Sequence, residues 1–330
     1  MMQAITRRRA ILGPLALSAA LVQSTRVGFA QDYPTRPVRL LVGGAAGSVP
    51  DTLARVIADR LSPALGQSVI VENRPGAAGA IAINGLLASD PDGHTLALAT
   101  MSQAVFNTFL FSRLPYDPLR DLEPVAPLAS GAMAVAANLA FPATTFAEFL
   151  AFAKANPERV LVGTTQAGSP PHVFAVLLTR ATEIEVTFVP YKSGAEGITG
   201  VLRGDVHIFV DAPTIIAPQA KAAALKVFAV TGHSHESALP GVPTVAELGF
   251  PAALAEAWIG VVAPARTPAQ IITRINRELV TILRDPAFKQ RLETLSFISM
   301  ISSPEEFRAR IREDHLRWGP VIRDAGIRLD

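Results

Sequence analysis

Two serines 121 residues apart, Ser48 and Ser169, stand in the same short setting, Ala-Gly-Ser-x-Pro, at Ala46–Pro50 and Ala167–Pro171. Each follows a strand-like apolar run and opens a helix-like one, so each can serve as a helix N-cap. Pro50 and Asp51 follow Ser48 at first-turn positions, with Asp51 at a capping-box-like spacing, and Pro170 stands where a missing N–H costs nothing. The first N–H groups of a helix have no partner within it, and the helix dipole makes that end partly positive. The preceding glycines, Gly47 and Gly168, permit a positive φ and a close backbone approach. The chemistry this offers is capture of a small anion by backbone N–H groups and a hydroxyl. A carboxylate fits better than a phosphate: the chain has no G-x-x-x-x-G-K-[ST] loop, and Asp51 limits the negative charge the first turn accepts.

Other chemistries find less support. Ser48 or Ser169 with His172 would make a nucleophile and base, but there is no G-x-S-x-G elbow, and such a pair at a helix start reads as a capping arrangement. The run "VGGAAG" with Glu72 at the end of the following strand mimics a dinucleotide site, yet its pattern is GGxxG and Glu72 stands beside Arg74. His233, His235 and Glu236 in "TGHSHES" read as a polar loop, with metal ligation as the rival. Lys192 in "PYKSG" either meets an anion or faces solvent. The chain has no cysteine, which excludes disulfides, thiolate zinc sites and a cysteine nucleophile. No catalytic residue, metal or cofactor is expected.

The elements that must hold these turns are legible as an alternation. Short apolar runs at 37–43, 68–72, 95–99, 160–163, 186–189, 206–210, 225–230 and 258–263 read as strands covered on both faces. Helical stripes lie between and after them: Leu53, Ile57 and Leu61; Ile271, Ile275 and Leu279; Phe307, Ile311, Trp318 and Ile322. This predicts α/β architecture with two mostly parallel α/β domains joined by two crossovers. Ala-, Gly- and Pro-rich breaks near 125–142 and 249–268 divide the chain into 31–131 with 257–330 and 132–256. The first thirty residues read as an export signal: a basic n-region at Arg7–Arg9, a short apolar stretch, and Gly28 and Ala30 before a cleavage point. Four of the 30 basic residues lie there with no acid, which leaves 26 basic against 28 acidic in the remainder. Nothing in that balance points to nucleic acid.

The segments "YPTRPVRLLV", "AAGSVPD", "GQSVIVENRPGAAGA", "DPDGHTLALAT", "LPYDPLRDLEPVA", "AGSPPH", "VPYKSG", "GDVHIFVDAP", "ALPGVPTVAELGF" and "WIGVVAPARTP" follow in order over nearly all the chain from Tyr33. In these the sequence resembles the Bug family, the substrate-binding receptors of tripartite tricarboxylate transporters. The resemblance implies a periplasmic binding protein of type II-like fold, a closing interdomain cleft, and a small carboxylate or amino acid as ligand. It implies membrane permease subunits as partners, and a monomer is expected. It places ligand contacts on two loops. The first holds Gly44, Ala45, Ala46, Gly47, Ser48 and Asp51; the second holds Thr164, Thr165, Gly168, Ser169 and His172. Asp211 falls where the family commonly has an acid lining the cleft. Thr164, Thr165 and Ser169 would supply hydroxyls, and the second loop is expected to make the more direct contacts. Gly43 to Ala46 depart from the prolines and aromatic residue common there, which leaves more room. Two further readings remain: a receptor that docks on a signalling partner, and a Rossmann-type oxidoreductase.

Overall fold

The computed structural model describes Met1 and residues 33–329; the export-signal reading lies outside the described residues. Eleven strands are found among them: β1 (Val38–Val42), β2 (Val69–Asn73), β3 (Thr95–Thr100), β4 (Leu122–Gly131), β5 (Ala134–Asn138), β6 (Leu161–Thr165), β7 (Thr187–Tyr191), β8 (Ile208–Asp211), β9 (Leu225–Val230), β10 (Ala257–Pro264) and β11 (Ile298–Ser299). They form two sheets, in the orders β11-β4-β10-β3-β1-β2 and β7-β6-β8-β5-β9. Helices cover both, so the chain has two α/β domains. It leaves the first sheet at Gly131, enters the second at Ala134, and returns to the first between Val230 and Ala257.

The sheets are mixed rather than mostly parallel. β1 pairs β2 and β3 in parallel, and β6 pairs β7 and β8 in parallel. β10 runs antiparallel to β3 and β4, and β5 antiparallel to β8 and β9. β10 and β5 are strands by which the chain enters a sheet from the other one, and β11, which stays in the first sheet, also runs antiparallel to β4. The segment expected to be a break between 125 and 142 is largely strand. Its prolines are tolerated because Pro124 and Pro127 lie beside register shifts in the β4–β10 ladder, where a missing N–H breaks no regular bond.

The helical stripes are buried as their spacing requires. Leu53, Ile57 and Leu61 are at most 1% exposed, and so are Phe307, Trp318 and Ile322. In the helix Ala269–Arg284 the buried row is Ile272, Ile275, Leu279, Ile282 and Leu283, so the stripe runs through Ile272 and not through the expected Ile271, which is half-buried. One apolar core runs through both domains: Phe174 of the helix Pro170–Thr182 stacks on Trp318 of the helix Pro304–Asp324 at 5.0 Å, and Phe106 meets both edge-on.

β1 lies between β2 and β3, and β6 lies between β7 and β8. In each sheet the chain goes from that strand to a neighbour on one side and then to one on the other. The space beyond the strand's C-terminal end is therefore a switch point, where α/β sheets open a crevice. Both serine turns sit at such points.

Candidate functional site

The two turns are the same structure built twice. Gly47 and Gly168 both have φ +76. The N–H of Ser48 bonds the carbonyl of Ala45 at 3.1 Å, and that of Ser169 the carbonyl of Gln166 at 3.0 Å. Both serines are N-caps with extended backbone, before the helices Val49–Leu65 and Pro170–Thr182. Neither side chain caps its helix. The capping acceptor comes instead from the third helical residue, which reaches back to the glycine: Asp51 Oδ2 accepts from the Gly47 N–H at 2.8 Å, and His172 Nδ1 accepts from the Gly168 N–H at 3.0 Å.

These two acceptors differ in charge but stand in equivalent places. Asp51 is 2% exposed. Burial pushes its carboxyl up, but bonds from Arg55, the Gly47 N–H and Asn73 more than offset this and hold it below the ordinary carboxylate range. His172 is 9% exposed, and burial lowers its pKa to about 4. Accepting at Nδ1 puts its proton on Nε2. A protonated ring would lose the acceptor that holds the turn. The unfolded chain takes up this proton near 6.5, the folded one only near 4. Stability is therefore complete above pH 6.5 and falls as pH drops from 6.5 towards 4. Thermal unfolding across that window is expected to show a smaller loss for His172→Gln than for the unmodified protein; equal slopes would remove His172 from the account.

A cavity of about 390 Å³ opens between the turns, within the range of small-molecule sites. Gly44, Ala45, Ala46, Gly47 and Ser48 line it from one domain, and Thr165, Ser169 and Asp211 from the other. Asp51, Thr164, Gly168 and His172 do not line it. Thr164 and Thr165 cannot both face it, because successive strand residues point to opposite faces; Thr164 is fully buried and its hydroxyl has no partner. Gly168 is turned towards Leu110 and Leu329, and its carbonyl accepts from Ser102 Oγ at 3.4 Å. His172 faces a shallow outer hollow with Arg180, Phe188 and Arg328. Asp51 and His172 thus shape the turns from behind.

The hydroxyls also differ from expectation. Ser169 Oγ donates to the Thr165 carbonyl at 2.8 Å, so its proton is committed within the turn. Ser48 Oγ lies against Gly44 and has no partner. Asp211, 4% exposed, accepts from the Ala212 N–H through Oδ1 at 2.7 Å, while Oδ2 is unpaired. Burial raises its pKa to about 7, with the Ala212 bond pulling the other way.

Sequence reasoning missed several lining residues. Gln103, in the π-helical turn Ser102–Phe106 after β3, accepts from Thr100 and donates to the Ala78 carbonyl at 2.9 Å. Its signal was its place at the C-terminal end of a strand of the first sheet. Met133, Trp258 and Phe297 also line the cavity, from the crossing strands and the segment before β11. Lys192 stands at the rim, exposed. Away from the cavity, Glu72 is bound to Arg39 and Arg74, and His235 to Glu247. Among the described residues no group of three or more His, Asp or Glu is arranged to hold a metal ion, and no helix is long and apolar enough to cross a membrane.

Residues 53–327 match the tripartite tricarboxylate transporter family receptor, TctC. The chain belongs to this family. It is a solute-binding receptor by that membership, and the resemblance carried by the sequence segments holds over the whole described fold. A UPF0065 protein of Bordetella bronchiseptica is 33% identical to this receptor, over 97% of this chain and 94% of its own. Among solved structures, Rpa4515 of R. palustris with adipate is 30% identical, covers 90% of this chain and 100% of its own, and superposes with a TM-score of 0.84. MatC of Rhodopseudomonas palustris with bound malate is 27% identical, with 88% and 100% covered and a TM-score of 0.80.

Proposed function

We propose that this receptor captures a small carboxylate-bearing metabolite between its two serine turns and releases it unchanged to membrane permease subunits. The lobes that close on it are residues 31–131 with 257–330 and residues 132–256. The observation that carries this reading is the duplication: two helix N-terminal turns with the same glycine φ and equivalent hydrogen bonds, one per domain, face one cavity. The adipate and malate of the two structural relatives are acids of the size such a cavity takes. Export, through the leader at 1–30, would place the receptor in the periplasm, where a freely diffusing acid meets it.

In this reading the backbone N–H groups of Ala45 and Ala46, and of Ala167 in the second turn, hold the carboxylate, because those of Gly47, Ser48, Gly168 and Ser169 are already bonded within the turns. Ser48 Oγ, buried against Gly44 without a partner, turns outward to donate when the acid enters. Charge-assisted hydrogen bonds contribute about 1.5–3 kcal/mol each. A handful of them, after ordering costs, reaches micromolar affinity, about −8 kcal/mol. No buried cation is needed.

The two serines then separate. Ser48→Ala is expected to weaken binding about tenfold, the loss of one such bond of roughly 1.4 kcal/mol. Ser169→Ala is expected to change affinity much less, because its proton already belongs to the Thr165 carbonyl. Calorimetric titration with a panel of C4 to C6 acids and amino acids checks both, and recovery of the acid after incubation checks that it is not consumed. Ser169→Ala as damaging as Ser48→Ala would contradict the assignment of donors.

A further inference from the structure

We propose that the acid this receptor takes carries one carboxylate only, on an apolar body, with at most an uncharged hydrogen-bonding group at its far end. This rests on the carboxylate reading above and deepens it.

The cavity has two unlike ends, built by different elements. One is made of the serine turns, which follow β1 and β6 and offer N–H groups. The other comes from the crossing strands and the segment before β11. There Met133, Ile259, Leu295 and Phe297 present carbon, beside Ser296. Trp258 is wholly buried behind this end, its indole N–H donating to the buried Asp314 at 2.7 Å and its ring edge-on to Phe307, so it backs the wall rather than touching a ligand.

Between the two ends stands Asp211, on the last residue of β8. It is buried, and one carboxyl oxygen has no partner. A second carboxylate on the ligand would enter the same dry space as this acid, and two carboxylates sharing one site cannot both stay ionised. A hydroxyl or an amide N–H, which can donate, would instead give Asp211 the partner it lacks. Among the described residues only one cation, Lys192, lines the cavity; it is exposed at the rim and its charge is solvated. No arginine among them lines it.

The first turn adds room for bulk. At Gly44, Ala45 and Ala46 the wall carries nothing larger than a methyl group. A linear dicarboxylate does not fill such a width, whereas a ring or branched chain buries apolar surface on both walls. The proposal thus separates this receptor from the relatives solved with adipate and malate, which are dicarboxylates.

Matched pairs of equal length test this: hexanoate against adipate, and 3-phenylpropanoate against its 4-carboxy derivative, titrated by calorimetry at pH 7.5. The expected result is at least tenfold tighter binding of the monocarboxylate in each pair, with 3-phenylpropanoate tightest. Asp211→Asn should narrow the gap by admitting the dicarboxylates, and Gly47→Val should weaken every acid. Dicarboxylates that bind as well as or better than their partners, with Gly47→Val still weakening both, would overturn the inference and leave the carboxylate reading standing. So would dicarboxylate binding that Lys192→Met abolishes. If no acid binds, or Gly47→Val changes nothing, the carboxylate reading fails and the inference with it.

Discussion

Gly47→Val is expected to lower carboxylate affinity about a hundredfold while the protein stays folded. Gly47 has φ +76, and a Cβ built there meets nothing within 4 Å. The substitution therefore acts through the backbone rather than through a clash. A β-branched residue in the left-handed region is strained by about 1–2 kcal/mol or more, and the turn relieves this by rotating its peptides. That rotation takes the N–H groups of the first turn out of line with the carboxylate. Losing two charge-assisted bonds at about 1.5 kcal/mol each gives the hundredfold. The equivalent change in the second turn would not be clean: a Cβ on Gly168 falls 2.6 Å from Leu110 Cδ1 and 3.0 Å from Leu329 Cδ1. Gly168→Val is a folding mutation, Gly47→Val a binding mutation. Calorimetry on Gly47→Val, with thermal unfolding as the control, checks the claim; unaltered affinity would show that this turn is only a helix start.

Trp318→Ala is expected to cost about 3–5 kcal/mol of stability, the usual range for removing a buried aromatic residue. Trp318 is 1% exposed, stacked on Phe174 at 5.0 Å and edge-on to Phe106 at 5.5 Å. Its three rings come from three elements, one of them the helix that carries the second serine turn. The cavity left behind cannot collapse without moving that helix. A fall in melting temperature of roughly 6–12 °C is the expected reading. A fall of only a degree or two would mean that the aromatic cluster is not a shared core of the two domains.

The fold was legible where burial and periodicity agree. β1, β3, β6 and β8 are covered on both faces and read as continuous apolar runs. The helical rows at Leu53 and Phe307 are long enough for a 3.6-residue period to stand out. The crossing strands β4 and β5 were hidden because Ala, Gly and Pro dominate them, and only the bulged ladder against β10 makes Pro124 and Pro127 acceptable. With β4 and β5 unseen, the mixed sense of the sheets was unseen too.

The turns were legible for a local reason: Gly, Ser and Pro each suit one backbone position of a strand-to-helix turn. What their neighbours do was not. Thr164 and Thr165 look equivalent in sequence, but the strand's two-residue period sends them to opposite faces. His172 reads as a possible base, and only the Gly168 N–H shows it to be the counterpart of Asp51. Trp258 reads as part of a strand covered on both faces, because a residue that closes a cavity from behind has the same apolar signature as one that fills a core.

The most direct test of the two-turn account is a crystal structure of the mature receptor with the tightest-binding acid of the titrated panel. The account predicts one carboxylate between the turns, its oxygens within about 2.7–3.2 Å of backbone N–H groups from both domains, directly or through one ordered water. A carboxylate held by one domain alone, or bound away from Gly44–Ser48 and Thr165–Ser169, would contradict it.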